Sequence, residues 1–202
     1  MLTSSLLDKV QVAHGFCSEA DALPEGLALP QQVHGVRVVQ PCNLDSKPAD
    51  GLWVSRGVAP IGVRTADCIP VLLAHPDGVV AAIHAGWRGV AAHIVEQFLQ
   101  RQDRRFGRKW GDWRAALGPA AGGCCYEVGP EVLAALGLSG GKQCIDLREL
   151  LRQRLEAVGV AVDIVGPCTI CSGGAWASYR RDGQAAGRNV AWIAPRRGSA
   201  VH

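Results

Sequence analysis

The stretch Thr65–Gly89, TADCIPVLLAHPDGVVAAIHAGWRG, constrains this chain most, because two apolar runs rich in Val, Ile, Leu and Ala flank a short polar break. Runs of strand length separated by a turn read as a β-hairpin. The break His75-Pro76-Asp77-Gly78 puts Pro at the second turn position and Gly at the fourth, an order that a type I turn accepts without strain. If residues 75 and 78 face each other, or 74 and 78 across a three-residue loop, Cys68 falls opposite Ala85 or opposite His84. In either register a thiol and an imidazole become cross-strand neighbours, with Cβ atoms about 4.5–8 Å apart. That spacing is within reach of one ion at Zn–S of about 2.3 Å and Zn–N of about 2.1 Å. The hairpin therefore presents two metal ligands, or a Cys/His pair.

A chain of 202 residues buries a sizeable core, and a single domain over residues 1–202 is expected. The net charge of +3 is small and dispersed, which argues against nucleic-acid binding. The opening MLTSSLLDKVQVAHGF has neither a charged leader nor a continuous apolar run, and no run approaches a membrane span. A cytoplasmic protein is expected, with its eight cysteines as free thiols.

Along the chain, residues 1–30 read as a short strand and a loop; His14 stands alone there and carries no assigned role. His34 sits at the entrance of a strand over Val36–Val39 and needs partners before it gains a function. Leu52–Val54 and Val58–Val63 read as further strands. After His84, two glycines precede a helix over Val90–Gln100, with Val90, Ile94, Val95, Phe98 and Leu99 on one side. Its N-terminus beside His84 is a candidate anion site, to which Arg88 adds charge. Arg101–Trp113 reads as a solvated basic connector, and Arg114–Leu117 as a strand. The glycine-rich loop 118–129 is not a P-loop, since no Gly-Lys-Ser/Thr follows. Its adjacent Cys124 and Cys125 are poorly placed to chelate one ion together and read as small buried hydrophobes. Helices follow over Pro130–Leu136 and Asp146–Val158, the second with Asp146 as N-cap. After a strand over Val160–Val165, Cys168-Thr169-Ile170-Cys171 is a lone C-x-x-C without a second pair. Tyr179, Arg180, Arg181 and Arg188 then surround glycine-containing turns, a composition suited to phosphate or carboxylate, before a last strand over Val190–Ala194.

The blocks Gln32-Val33-His34-Gly35, Ala49-Asp50-Gly51-Leu52, Thr65 to Leu73 and Ile83-His84-Ala85-Gly86-Trp87-Arg88-Gly89 resemble the YfiH-type laccase-domain family, also called multicopper polyphenol oxidoreductases. Gly118-Pro119, Cys124 to Gly129, Ser178 to Gly183 and Gly187-Arg188 continue the resemblance in the family's order. It implies an α+β fold of layered mixed β-sheets with flanking helices. It also implies His34, Cys68 and His84 as metal ligands and catalytic residues, zinc as cofactor with copper as the alternative, and phosphorolysis of adenosine, inosine or methylthioadenosine, with some adenosine deamination. The implied partners are a purine nucleoside and phosphate, the latter held by Arg88, Arg180 and Arg181. One departure stands out. Family members follow their HGF block with an Arg-Gly-Gly-x-Ser type loop and a longer arm, whereas only a short passage separates His14-Gly15-Phe16 from Gln32 here. That contraction leaves the ligand blocks intact and bears on nucleoside specificity.

The laccase name does not suit the ligands. None of the six histidines forms a His-x-His pair, and the only methionine is Met1, so neither a trinuclear copper centre nor a blue-copper site with axial Met is encoded. Three protein ligands with one open position is instead the catalytic zinc arrangement. Asp67, beside Cys68, is a candidate either for the acid that protonates the leaving base or for a carboxylate that orients a histidine. Three other readings compete: a cysteine hydrolase or editing enzyme acting on peptidoglycan precursors through Cys68 and His84, a copper-dependent polyphenol oxidase, and a non-catalytic zinc-stabilised protein.

Overall fold

The apolar runs of the central hairpin lack polar alternation because both of their faces are covered. In the computed structural model, which describes residues 1–44, 47–55 and 59–196, the chain runs α1 (Ser5–Lys9), β1 (His14–Cys17), β2 (Val38–Val39), β3 (Gly51–Val54), β4 (Ile61–Thr65), β5 (Ile69–Ala74) and β6 (Val80–Ala85). It continues with α2 (Trp87–Ala91), α3 (Ile94–Phe106), β7 (Arg114–Leu117), β8 (Glu127–Val128), α4 (Pro130–Ala135), β9 (Gln143–Cys144), α5 (Leu147–Ala157), β10 (Ala161–Ile164), α6 (Tyr179–Asp182) and β11 (Asn189–Ile193). Strands in the order β10-β7-β5-β6-β3-β2 form a mixed six-stranded sheet, parallel at its two outer pairs and antiparallel between them. A second, antiparallel sheet has the order β1-β11-β4.

Side chains of β5 and β6 divide between two cores according to the period of two along a strand. Val71, Leu73, Ala81 and Ile83 face the helical layer, where they meet Ile94, Phe98 and Leu99 of α3 and Leu151 and Leu155 of α5. Leu72, Ala74, Val80 and Ala82 face the small sheet and pack with Ile61, Val63, Ala191 and Ile193. The six-stranded sheet is thus the middle of three layers, which accounts for continuous apolar strands. The layered α+β architecture inferred from the resemblance is the one observed. Among the described residues no helix is long and apolar enough to cross a membrane.

Several local expectations need correction. Ala74 pairs with Val80, and His75 N–H donates to Val79 O at 2.8 Å, so the loop is Pro76-Asp77-Gly78 with Gly78 at φ +93°. Gly78 in the left-handed region adds one residue to the type I turn and shifts the register. Ile69 therefore faces Ala85 and Pro70 faces His84, which leaves Cys68 across from Gly86 rather than Ala85 or His84. The helix expected over Val90–Gln100 is two helices, α2 and α3, separated by His93 at φ 57°. The supposed connector after Gln100 is largely helical, since α3 extends to Phe106, and Trp113 is fully buried against Phe98. The short helix α1 and the β8-β9 pair went unread. Val58, placed in a strand from the sequence, lies outside the described residues, and that strand is β4. Elsewhere the reading is close: α5 begins after Asp146, whose carboxylate accepts from the N–H groups of Arg148 and Glu149. Glu149 does not reciprocate, being paired with Arg152.

The layers meet closely at Gly118, where a Cβ would overlap the ring of Phe16 from the small sheet and approach Pro70 Cγ within 2.8 Å. Both neighbours are buried and cannot yield. Gly118→Ala should therefore destabilise the fold by about 1–3 kcal/mol, the usual cost of overpacking, read as a lower urea midpoint with unchanged slope.

Candidate metal centre

Three segments converge at one end of the central hairpin. His34 lies on the loop before β2, Cys68 immediately precedes β5, and His84 is the penultimate residue of β6. One ligand atom from each lies within 4.8 Å of the other two. Cys68 Sγ is 3.8 Å from His34 Nε2, and the two imidazoles meet edge to face at 4.8 Å between centroids. His84 is buried, Cys68 half-buried and His34 exposed, so the trio is closed on one side and open on the other. Gly86 explains how they fit: a Cβ there would lie 2.9 Å from His34 Cδ2 and 3.0 Å from Cys68 Sγ. Two imidazoles and a thiol around a glycine-sized gap suit a soft or borderline cation such as zinc.

A residue without an assigned role in the sequence reading holds this arrangement. Asp50, fully buried, accepts from His84 Nδ1 at 2.9 Å and from the backbone N–H groups of His34 at 2.8 Å, Gly35 at 2.7 Å and Val33 at 3.3 Å. The Nδ1 contact leaves His84 Nε2 for the centre. The wrap of three successive N–H groups around one carboxylate accompanies the left-handed backbone of His34, φ 61°. Burial pushes the Asp50 carboxyl up, but His84 and these N–H donors hold it below its ordinary range. Burial pushes the His84 imidazole down, yet Asp50 and Cys68 raise it to about 9. Burial likewise raises the Cys68 thiol, and the two histidines more than reverse this, lowering it to about 7. In the metal-free protein the geometry thus favours a thiolate beside an imidazolium.

Asp67 does not orient a histidine. Its carboxylate accepts from Thr169 Oγ1 at 2.6 Å and from Arg180 N–H at 2.7 Å, and its backbone carbonyl accepts from Ala121. With φ 85°, Asp67 turns the chain into Cys68 and ties that turn to the loops after β7 and β10. The orienting carboxylate is Asp50. Its signal was present in the Ala-Asp-Gly block, but the pairing with His84 crosses β3 and β6 and follows only once their register is known.

A cavity of about 600 Å³ opens over the trio, with Arg64, Arg180, Arg188, Tyr126 and Trp87 among its lining side chains. The passage that shortens the approach to Gln32 supplies part of the wall through Pro30 and Gln31. Gln32 is pinned to β4 by a two-way amide pair with the backbone of Arg64, at 2.7 and 2.8 Å. Of the arginines anticipated for an anion, Arg180 lines this cavity and stacks over Tyr126 at 4.8 Å. Arg88 instead lies exposed over Trp87 at 4.2 Å, and Arg181 is spent on the carbonyls of Thr169 and Trp176 and on Asp182. The expected helix-terminal anion site is also lost, because α2 has five residues, too few to build a substantial macrodipole. Arg188, read from the sequence among the arginines suited to an anion, also lines the cavity, whereas Arg64 and Tyr126 were missing from the anticipated set. A second hollow of about 710 Å³, between the β2-β3 edge and α3, is lined by Trp53, Phe106 and arginines but, among the described residues, by no thiol, imidazole or carboxylate.

The family described as multi-copper polyphenol oxidoreductase laccase matches residues 8–196. The chain belongs to it. Among curated relatives, the purine nucleoside phosphorylase YfiH of Shigella flexneri is 36% identical over 189 residues, covering 86% of this chain and 76% of the relative. A purine nucleoside phosphorylase of Xylella fastidiosa is 37% identical over 190 residues, covering 81% and 70%. Among solved structures, YlmD from Geobacillus stearothermophilus superposes with a TM-score of 0.77 at 30% identity, covering 86% of this chain and 74% of that one. The Bacillus licheniformis protein YfiH gives 0.76 at 28% identity, covering 83% and 73%. Family membership and fold therefore agree.

Replacing Asp50 by Asn keeps the volume but turns an amide donor toward at least one of the N–H groups it now accepts. Disturbing such a support costs metal sites about 10–100-fold in affinity. Competition with a chelating dye should show a loss of that size in Asp50→Asn; equal zinc affinity would remove Asp50 from the site.

Proposed function

We propose that this protein is a zinc-dependent purine nucleoside phosphorylase acting on adenosine, inosine and methylthioadenosine, with adenosine deamination as a side activity. The observation that carries the reading is the convergence of His34, Cys68 and His84 under a cavity lined by arginines, in a chain similar to proteins named purine nucleoside phosphorylases. A zinc ion held by His34, Cys68 and His84 would supply Lewis-acid polarisation and an open coordination position. The remaining work falls to the protein. Arg64, Arg180 and Arg188 gather the charge of phosphate and orient it toward the ribose C1′. In phosphorolysis a phosphate oxygen bonds to C1′, the glycosidic C–N bond breaks, and the base leaves with a proton. Asp67 is engaged as an acceptor on both oxygens and is a poor source of that proton. Two phenols line the cavity, Tyr126 and Tyr179; Tyr126, the more buried and held protonated by burial and the neighbouring Cys68 charge, is the donor assigned to this step.

The lowered Cys68 thiol also supports a second reading, a cysteine hydrolase with His84 as base, for which peptidoglycan precursors are the substrate class. Metal content and alkylation distinguish the two. Because the thiolate is the reactive form, iodoacetamide should label Cys68 faster as pH rises through about 7 in metal-free protein. Zinc should suppress that labelling, and Cys68→Ala should abolish both base release and zinc binding at this centre. Full phosphorolysis by Cys68→Ala, or labelling indifferent to zinc, would favour another mechanism.

For the anion, losing a charge-assisted contact worth about 1.5–3 kcal/mol weakens binding by roughly ten- to a hundredfold. Arg180→Ala should raise the phosphate KM by that factor, while Arg88→Ala, outside the cavity lining, leaves it within about twofold. Release of free base from each nucleoside, with and without phosphate, supplies the readout. The reverse ranking would place phosphate near α2 instead.

A further inference from the structure

A second cluster of metal-ligating side chains lies on the loops that follow β7 and β10. These strands run parallel, from Ala161 beside Arg114 to Ile164 beside Leu117, so their ends emerge side by side. The outgoing loops stay paired: Val165 N–H donates to Leu117 O at 2.8 Å, and Thr169 N–H to Ala120 O at 3.0 Å. The first loop then doubles back, Gly122 O accepting from the N–H groups of Cys125 and Tyr126. This turn aims both Cys124 and Cys125 at the Cys168-Thr169-Ile170-Cys171 segment. The four sulfurs lie within 4.8 Å of one another, and Cys124 Sγ is 3.5 Å from Cys171 Sγ. The pair that the C-x-x-C lacked in sequence is therefore supplied by the dipeptide, and Cys124 is exposed rather than buried.

We propose that Cys124, Cys125, Cys168 and Cys171 form a second metal site, a tetrathiolate that takes zinc and fastens the wall of the nucleoside cavity. A zinc tetrahedron with bonds of about 2.3 Å has sulfur–sulfur edges of about 3.8 Å, the scale on which these thiols are arranged. A disulfide of about 2.05 Å joins sulfurs in pairs and gives no reason for four to converge; all four are free thiols here. The N–H group of Gly122 donates to Cys168 Sγ at 3.2 Å, the kind of outer contact that orients a ligating sulfur. The buried Arg148 lies beneath the turn, its guanidinium 3.4 Å from where a Cβ on Gly122 would sit, and places positive charge beside the sulfurs. With four protein ligands the site is closed, so its role is structural. Binding exchanges four S–H protons for four Zn–S bonds, releases those protons to solvent and moves no electrons.

The position gives the site its consequence. Thr169, between the two cysteines of the C-x-x-C, donates to Asp67, the residue before Cys68, while Tyr126, the residue after Cys125, lines the cavity. One ion would thus lock the segments that place both against the catalytic turn.

The test measures zinc per chain in protein purified under reducing conditions. Wild type should hold two equivalents, Cys171→Ser and Cys124→Ser one each, and Cys68→Ala one. Cys42→Ser, altering an exposed thiol outside the cluster, should keep two. Should the cluster variants fail to fold, Cys68→Ala loaded with cobalt decides the matter, because a tetrathiolate must then give the tetrahedral cobalt absorption on its own. One zinc in wild type, no tetrathiolate cobalt spectrum in Cys68→Ala, or four thiols found as two disulfides under reducing purification would each overturn the proposal. Loss of phosphorolysis with both zincs retained would count only against the functional reading.

Discussion

A buried carboxylate with its donors is the constraint on which the candidate centre depends. Asp50 has no exposed surface, and an unpaired charge there would be prohibitive. Its two oxygens receive four N–H groups, three from consecutive residues 33–35 and one from the His84 ring. Satisfying the carboxylate thereby places one imidazole through its backbone and the other through its side chain. The left-handed backbone at His34, uncommon for a residue with a Cβ, is the local strain that this wrapping balances. Asp50 is also tied through its main chain, since His84 N–H donates to Asp50 O at 2.7 Å. Both histidines are therefore referred to one rigid point at the edge of β3.

Rigidity at that point comes from the layers. The middle sheet is buried on both faces, so β5 and β6 cannot shift by one residue without moving an entire set of side chains between the two cores. A ligand at the end of each strand inherits this fixed register. Of the cavity-lining side chains, Arg64 comes from β4 of the small sheet, whereas Arg188 and Tyr126 come from loops and Arg180 from the short helix α6. The candidate ligands are thus anchored to the central sheet, whereas most of the side chains lining the cavity are carried by connections, which tolerate change in length and composition.

The sequence displayed the parts of this plan unequally. Strong apolar runs and the Asp146 cap were legible because their signals are local. The hairpin register missed by one step because Gly78 adopts positive φ, and sequence alone does not distinguish a plain type I turn from one followed by a bulge. The break at His93 was hidden because nothing in its residue type demands a left-handed backbone. Arg88 and Arg181 stood in the right blocks but point away from the cavity, and only tertiary contacts reveal that. Cys124, Cys125, Cys168 and Cys171 looked unrelated because their proximity depends on the parallel pairing of β7 with β10, strands separated by two helices and a small hairpin.

That same pairing links the two thiol-bearing regions of the molecule. Asp67 receives Thr169 from the loop after β10, Ala121 from the loop after β7 and Arg180 from α6, while the residue beside it is Cys68. These three segments are tied to the turn at Asp67 by hydrogen bonds to its carboxylate and its carbonyl. Hydrogen bonds of this kind each contribute only about 0.5–1.5 kcal/mol net, more where a charge is shared. Loops open more readily than the strands of a buried sheet. A cross-link between the loops after β7 and β10 would lower the entropy of their open forms and leave the contacts of the closed form unchanged. The four convergent cysteines lie where such a restraint acts on both loops at once, one residue from Tyr126 on one side and adjacent to Thr169 on the other.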